Sequence, residues 1–167
     1  MWIVSILALA VSVLSLYFSR KSWRESNRPV VTAKVATNES GNLGTAFDLI
    51  VQNTGTRPAK NVRLLTDPVR LNALLEAPTG SPLRYGVDQC FSEDWAIPIL
   101  ENGKCVTNSF GFMCPNKSET TWKEICRFEI EILYEDIDGR RYKQRLPLFV
   151  ADDHGFAGGS WGPSKDR

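Results

Sequence analysis

A chain of 167 residues has room for about one domain of ordinary size, and 43% hydrophobic with 23% charged residues excludes a disordered polymer or a fibrous repeat. Its 20 basic and 19 acidic side chains leave a net charge of +1, with no overall positive excess of the kind a nucleic-acid binder uses to hold phosphates.

The first element is apolar. No charged side chain occurs from Met1 to Ser19, a run built largely of Ile, Val and Leu. About 20 helical residues rising about 1.5 Å each cross a hydrocarbon core of about 30 Å. Residues 1–19 are therefore expected to form a transmembrane helix, with Trp2, Leu7, Leu14, Tyr17 and Phe18 as anchoring side chains. Trp2 at one end and Tyr17, Phe18 and Trp23 at the other suit the interfacial aromatic belts. A cleaved secretory signal would open on basic residues and end on small ones, whereas this run ends Leu16-Tyr17-Phe18-Ser19-Arg20, so an uncleaved anchor is expected.

Residues 20–28 read as a basic juxtamembrane segment. Arg20, Lys21, Arg24 and Arg28 against Glu25 give +3, which leaves −2 for everything from Pro29 onward. Positive flanks stay inside, so the N-terminus is expected outside and the C-terminal domain in the cytoplasm. These cations also attract anionic lipid head groups, by at most about 1 kcal/mol each. In a reducing compartment Cys90, Cys105, Cys114 and Cys126 are expected as free thiols, whereas export would make one or two disulfides of them. They lack C-x-x-C spacing and His154 is the sole histidine, so neither zinc nor another cofactor is expected.

Residues 29–150 alternate as half-buried strands do. Val31, Ala33 and Val35 share a face of a first strand from Val30 to Thr37, and Asn38 to Gly44 reads as a turn cluster. Phe47, Leu49 and Val51 mark the second strand, closed by Asn53 to Pro58, and Val62 and Leu64 mark a third from Asn61 to Thr66. Asp67-Pro68 before Val69, Leu71, Leu74 and Leu75 suits a capped helix of one or two turns. Pro78 to Pro82 reads as loop, and the segments on either side of Glu101-Asn102-Gly103 as two further strands.

The last hairpin fixes its own register. A three-residue loop opened by Asp136, with Gly139 in the left-handed position, pairs Asp136 with Arg140. Counting outward sets Tyr134 opposite Tyr142, Ile130 opposite Leu146 and Phe128 opposite Leu148, with Glu135 facing Arg141 and Glu131 facing Arg145 on the other side. Residues 151–167 are expected to form a Gly-rich flexible tail whose Phe156 and Trp161 are candidates for docking on a partner. Six or seven short strands after one helix give an all-β fold of sandwich type.

Asn53-Thr54-Gly55-Thr56-Arg57-Pro58-Ala59-Lys60-Asn61-Val62 resembles the Asn-x-Gly turn and valine strand of immunoglobulin-like sandwich domains. With Tyr134 to Tyr142 and the preceding helix, the chain resembles small uncharacterised bacterial single-pass membrane proteins with a C-terminal immunoglobulin-like β-sandwich domain. The resemblance implies that fold and a bacterial inner membrane, and brings no catalytic residue.

Chemistry is scarce. The sole histidine that could activate a nucleophile, His154, lies in the Gly-rich tail, no Gly-rich loop precedes a helix, and Asp136-x-Asp138-Gly139 lacks the later ligands of a calcium loop. The adjacent Asp152 and Asp153 point apart in an extended chain. An enzyme is not expected. The expected function is a membrane-anchored, non-catalytic protein-interaction module at the cytoplasmic face, touching the lipid bilayer and a protein partner. The alternative is a self-associating effector or pore former, a homo-oligomer whose helix acts on the bilayer with the sandwich as sensor. Ser5, Ser12 and Ser15 do not make the repeated small-residue seam such packing favours.

Overall fold

Neither Gly nor Pro interrupts the chain from Trp2 to Ser26, and the whole stretch is one helix, α1 (Trp2–Ser26). It runs past the apolar residues into the basic segment, so Arg20, Lys21 and Arg24 lie on its last turns and Arg28 just beyond it. Asn27 ends it by returning both its backbone N–H and its side-chain amide to the Trp23 carbonyl, and Pro29 biases Arg28 out of the helical region. The helix is long and apolar enough to cross a membrane, and none of its residues is buried. The molecule is described by a computed structural model over residues 2–41 and 43–151; Phe156, Trp161 and His154 lie outside the described residues.

Seven strands follow: β1 (Val31–Gly41), β2 (Gly44–Asn53), β3 (Ala59–Thr66), β4 (Ile97–Leu100), β5 (Cys105–Met113), β6 (Cys126–Glu135) and β7 (Arg141–Val150). Between β3 and β4 come α2 (Pro68–Leu74), a 3-10 turn (Pro82–Arg84) and α3 (Tyr85–Cys90). The strands form two antiparallel sheets, ordered β1-β2-β5 and β4-β3-β6-β7. Their facing apolar residues join in one core: Phe47, Leu49 and Val51 from the first sheet, Val62, Leu64, Phe128, Ile130, Ile132 and Leu148 from the second. Mostly β structure after one helix is what the alternating patterns implied.

The β6–β7 ladder has the expected register, with Tyr134 opposite Tyr142, Ile130 opposite Leu146 and Phe128 opposite Leu148. The two tyrosine rings stack at 5.3 Å. On the outer face Glu135 pairs with Arg141 at 3.1 Å, and Glu131 with Arg145 at 2.7 Å and Lys143 at 2.8 Å. Asp67 caps α2 as its sequence suggested, its side chain accepting from the Val69 N–H at 2.9 Å.

One expectation is corrected. Asn38 to Gly44 is not a turn cluster: β1 continues to Gly41 beyond a bulge near Asn38, and the reversal is confined to Gly41–Gly44. Gly44 is needed there, because at φ +146° a Cβ would fall 2.4 Å from the Met113 carbonyl oxygen. After the loop from Pro78 to Ser81, residues 82–90 are helical, held by the buried Arg84, whose guanidinium bonds Asp88, Asn72 and Thr79. The two strands on either side of Glu101-Asn102-Gly103 lie in different sheets, β4 joining β3 and β5 joining β2.

Candidate functional site

The end of α1 is fastened to the β domain, and Asn53 at the end of β2 does much of the fastening. Its side chain is fully buried with every hydrogen-bonding position filled. Oδ1 accepts from the N–H of Val30 at 3.2 Å and of Gly55 at 3.0 Å. Nδ2 donates to the carbonyls of Arg57 at 2.7 Å and Leu100 at 3.0 Å. One amide thus joins the linker after α1, the β2–β3 turn and β4. Thr54 and Thr56 add backbone bonds to the Val30 and Arg28 carbonyls, and the Thr56 hydroxyl donates to Ser26. The linker passes so close that a Cβ at Gly55 would sit 2.4 Å from both the Arg28 oxygen and the Val30 nitrogen. From the opposite sheet, the buried Tyr134 hydroxyl donates to the Pro29 carbonyl at 3.4 Å.

Above this clamp the last turns of α1 face the tip of the β6–β7 hairpin. Arg20, Trp23, Arg24 and Asn27, spaced as one stripe of a helix, line a cleft of about 790 Å³ with Arg57, Asp136, Asp138, Gly139, Arg140 and Tyr142 opposite. Arg57 lies over the Trp23 ring at 5.6 Å and pairs with Asp138 at 2.7 Å. Asp136 is buried at the base of the hairpin loop, where Oδ1 accepts the N–H groups of Asp138 and Arg140 and Oδ2 accepts the Tyr142 hydroxyl at 3.0 Å. Burial opposes ionisation of Asp136, but those donors outweigh it and hold the carboxyl below the usual carboxylate range.

A second opening, of about 250 Å³, lies between the sheets beside β4 and β5, walled by Leu49, Val51, Val62, Leu64 and Ile97, with Trp95 at its edge. Its Cys90 thiol is pushed up to about 11 by burial, against a hydrogen bond from Asn108 that lowers it, so it stays protonated at neutral pH. Cys126 is likewise raised to about 11 by burial and then by the Glu124 charge. The four cysteines carry free thiols.

The structure brings Arg20 and Arg24 into one cleft, while Lys21 and Arg28 do not line it, and the anchoring residues Trp2, Leu7, Leu14, Tyr17 and Phe18 lie exposed along α1. Sequence reasoning missed Arg57, Asp136, Arg140 and Tyr142 as parts of this region. The available signal was the pair of turn motifs, Asn53-x-Gly55 and Asp136-x-Asp138-Gly139, which read as local turn chemistry without showing that they converge beside the helix.

A family model described as Domain of unknown function (DUF8453) matches residues 1–152, spanning the helix and all seven strands. No curated protein and no solved structure matches the chain.

Proposed function

The chain belongs to the DUF8453 family, and we propose that it is a single-pass membrane protein whose immunoglobulin-like sandwich acts as a non-catalytic interaction module at the cytoplasmic face of a bacterial inner membrane. The observation that carries the reading is the clamp: a fully exposed apolar helix is bonded through residues 26–30 into the β domain, with no free linker between them. A helix held this way presents the sandwich at a fixed height and angle above the bilayer, as a scaffold for a protein partner requires. The family match covers the whole of that helix, which supports its being part of the working unit.

The immunoglobulin-like assignment is supported by strand order. The sheets β1-β2-β5 and β4-β3-β6-β7 follow from a constant-type immunoglobulin arrangement by moving the fourth strand beside the third. The Arg20, Lys21, Arg24 and Arg28 flank supports a cytoplasmic domain. A non-catalytic role is favoured because Cys90 and Cys126 are held protonated and Asp136 is consumed by the hairpin that it closes. The pore-forming alternative is less favoured, since Ser12 returns its hydroxyl to the Ala8 carbonyl at 2.9 Å instead of offering it to a water-filled channel.

Reconstitution into dye-loaded vesicles tests this reading. The full chain is expected to remain with the vesicles through an alkaline carbonate wash, to leave only with detergent, and to release no dye. Loss in carbonate would remove the anchor, and dye release would favour the pore-forming alternative.

A further inference from the structure

We infer that the cleft between the last turns of α1 and the β6–β7 hairpin tip binds one phosphate group, carried by an anionic lipid head group. The inference rests on the membrane-anchored reading.

Its first support is an imbalance of charge. The cleft is lined by Arg20, Arg24, Arg57 and Arg140 against Asp136 and Asp138. Both carboxylates have internal partners: Asp138 takes Arg57, and Asp136 takes two backbone N–H groups and the Tyr142 hydroxyl. Among the described residues Arg20 and Arg24 form no ion pair. Like charges one helical turn apart are mildly destabilising, and an anion seated between them reverses the sign of that interaction. All four cations are arginines, whose planar fork matches the oxygens of a phosphate.

The second support is depth and size. Arg20 is the first residue after the apolar run, and Arg24 lies about 6 Å further along the axis. Head-group layers are about 5–7 Å thick on each side of the hydrocarbon core, so the pair spans that layer. Trp23 stands between them as an interfacial residue, and the opposite wall comes from the β domain, which makes this a pocket and not a stripe of surface charge. About 790 Å³ falls within the range of pockets that accept small ligands.

The test is native mass spectrometry of the full chain purified in a neutral detergent and titrated separately with short-chain phosphatidylglycerol, short-chain phosphatidylcholine and inorganic phosphate. One phosphatidylglycerol should be retained in preference to phosphatidylcholine, with Arg24→Gln and Arg140→Gln each weakening it about tenfold, the size of one lost charge-assisted hydrogen bond. Lys21→Gln removes the same charge from outside the cleft and should change binding by less than about twofold. Equal losses in all three variants would reduce the effect to diffuse surface attraction and overturn the site. Equal retention of phosphatidylcholine would overturn its selectivity for an anionic head group. Inorganic phosphate bound as tightly as the lipid would overturn the lipid as its source. Because binding is read in detergent, failure here leaves the vesicle-retention result standing, whereas failure of retention removes the premise of a lipid site whatever binds in detergent.

Discussion

Trp122→Ala is expected to destabilise the β domain by about 3–5 kcal/mol, lowering its melting temperature by about 10 °C or more. Trp122 is fully buried, although it lies in the connection between β5 and β6 rather than in a named strand. Its ring stacks on Phe128 at 5.9 Å and meets Phe110 at 5.1 Å, while its indole N–H donates to the Phe110 carbonyl at 2.6 Å. The neighbouring backbone is fixed on two sides, Glu76 N–H to Thr121 carbonyl at 2.9 Å and Thr121 N–H to Phe112 carbonyl at 2.7 Å, so the site cannot simply collapse around a smaller residue. Total stabilities of about 5–15 kcal/mol mean that such a loss removes from about a fifth to all of the margin. Trp122→Phe separates the causes: it keeps most of the apolar volume but strands the Phe110 carbonyl, and should cost about 1–3 kcal/mol. Thermal denaturation followed by near-ultraviolet circular dichroism reads both, and an alanine variant melting within about 2 °C of the parent would remove Trp122 from the core account.

Asn53→Ala should be nearly as damaging, and for a different reason. Four hydrogen bonds end on this one amide, and its removal leaves the N–H groups of Val30 and Gly55 and the carbonyls of Arg57 and Leu100 without that partner. Each buried group left unsatisfied costs about 1–3 kcal/mol. Water can reach part of this set, because only the Leu100 bond is buried, so a net cost of about 3 kcal/mol is expected. The loss should also be local. Residues 26–30 would detach first, and limited digestion with a glutamate-specific protease should then cut after Glu25, at the end of α1, well before it cuts within the strands. Gly55→Ala should loosen the same joint through its collision with the Arg28 and Val30 backbone while keeping the Asn53 side chain. Uniform digestion of both variants, with no early cut at Glu25, would show that the joint does not hold the helix.

Legibility in the sequence followed the range of the interactions. The β6–β7 register could be counted because each pair, such as Glu131 with Arg145 or Tyr134 with Tyr142, is complementary across one short loop. The extent of α1 was harder: the apolar run ends at Ser19, but helical propensity does not, and the basic residues continue the helix to Ser26. Trp122 gave no periodic signal, since it stands alone among Thr120, Thr121, Lys123 and Glu124, and its burial comes from Phe110 and Phe128 on two other strands. Similarly, Tyr85 to Cys90 is too short and contains Gly86, so the helix there depends on the Arg84–Asp88 pair rather than on propensity. The arginine cleft could not be read at all. It joins residues near 20, 57 and 140, and only the clamp around Asn53 brings them to one place.

The central claim, a helix-anchored β domain in the cytoplasm, is tested most directly by labelling Cys105 with a membrane-impermeant maleimide. Cys105 is exposed at the start of β5, whereas Cys126 is buried and Cys90 half-buried, both with thiols raised to about 11, so both are expected to react far more slowly than Cys105. In a Cys114→Ala background, so that Cys105 is the reactive thiol, labelling is expected in inverted inner-membrane vesicles and absent in intact cells. Labelling of Cys105 in intact cells would place the β domain outside the cytoplasm and contradict the account.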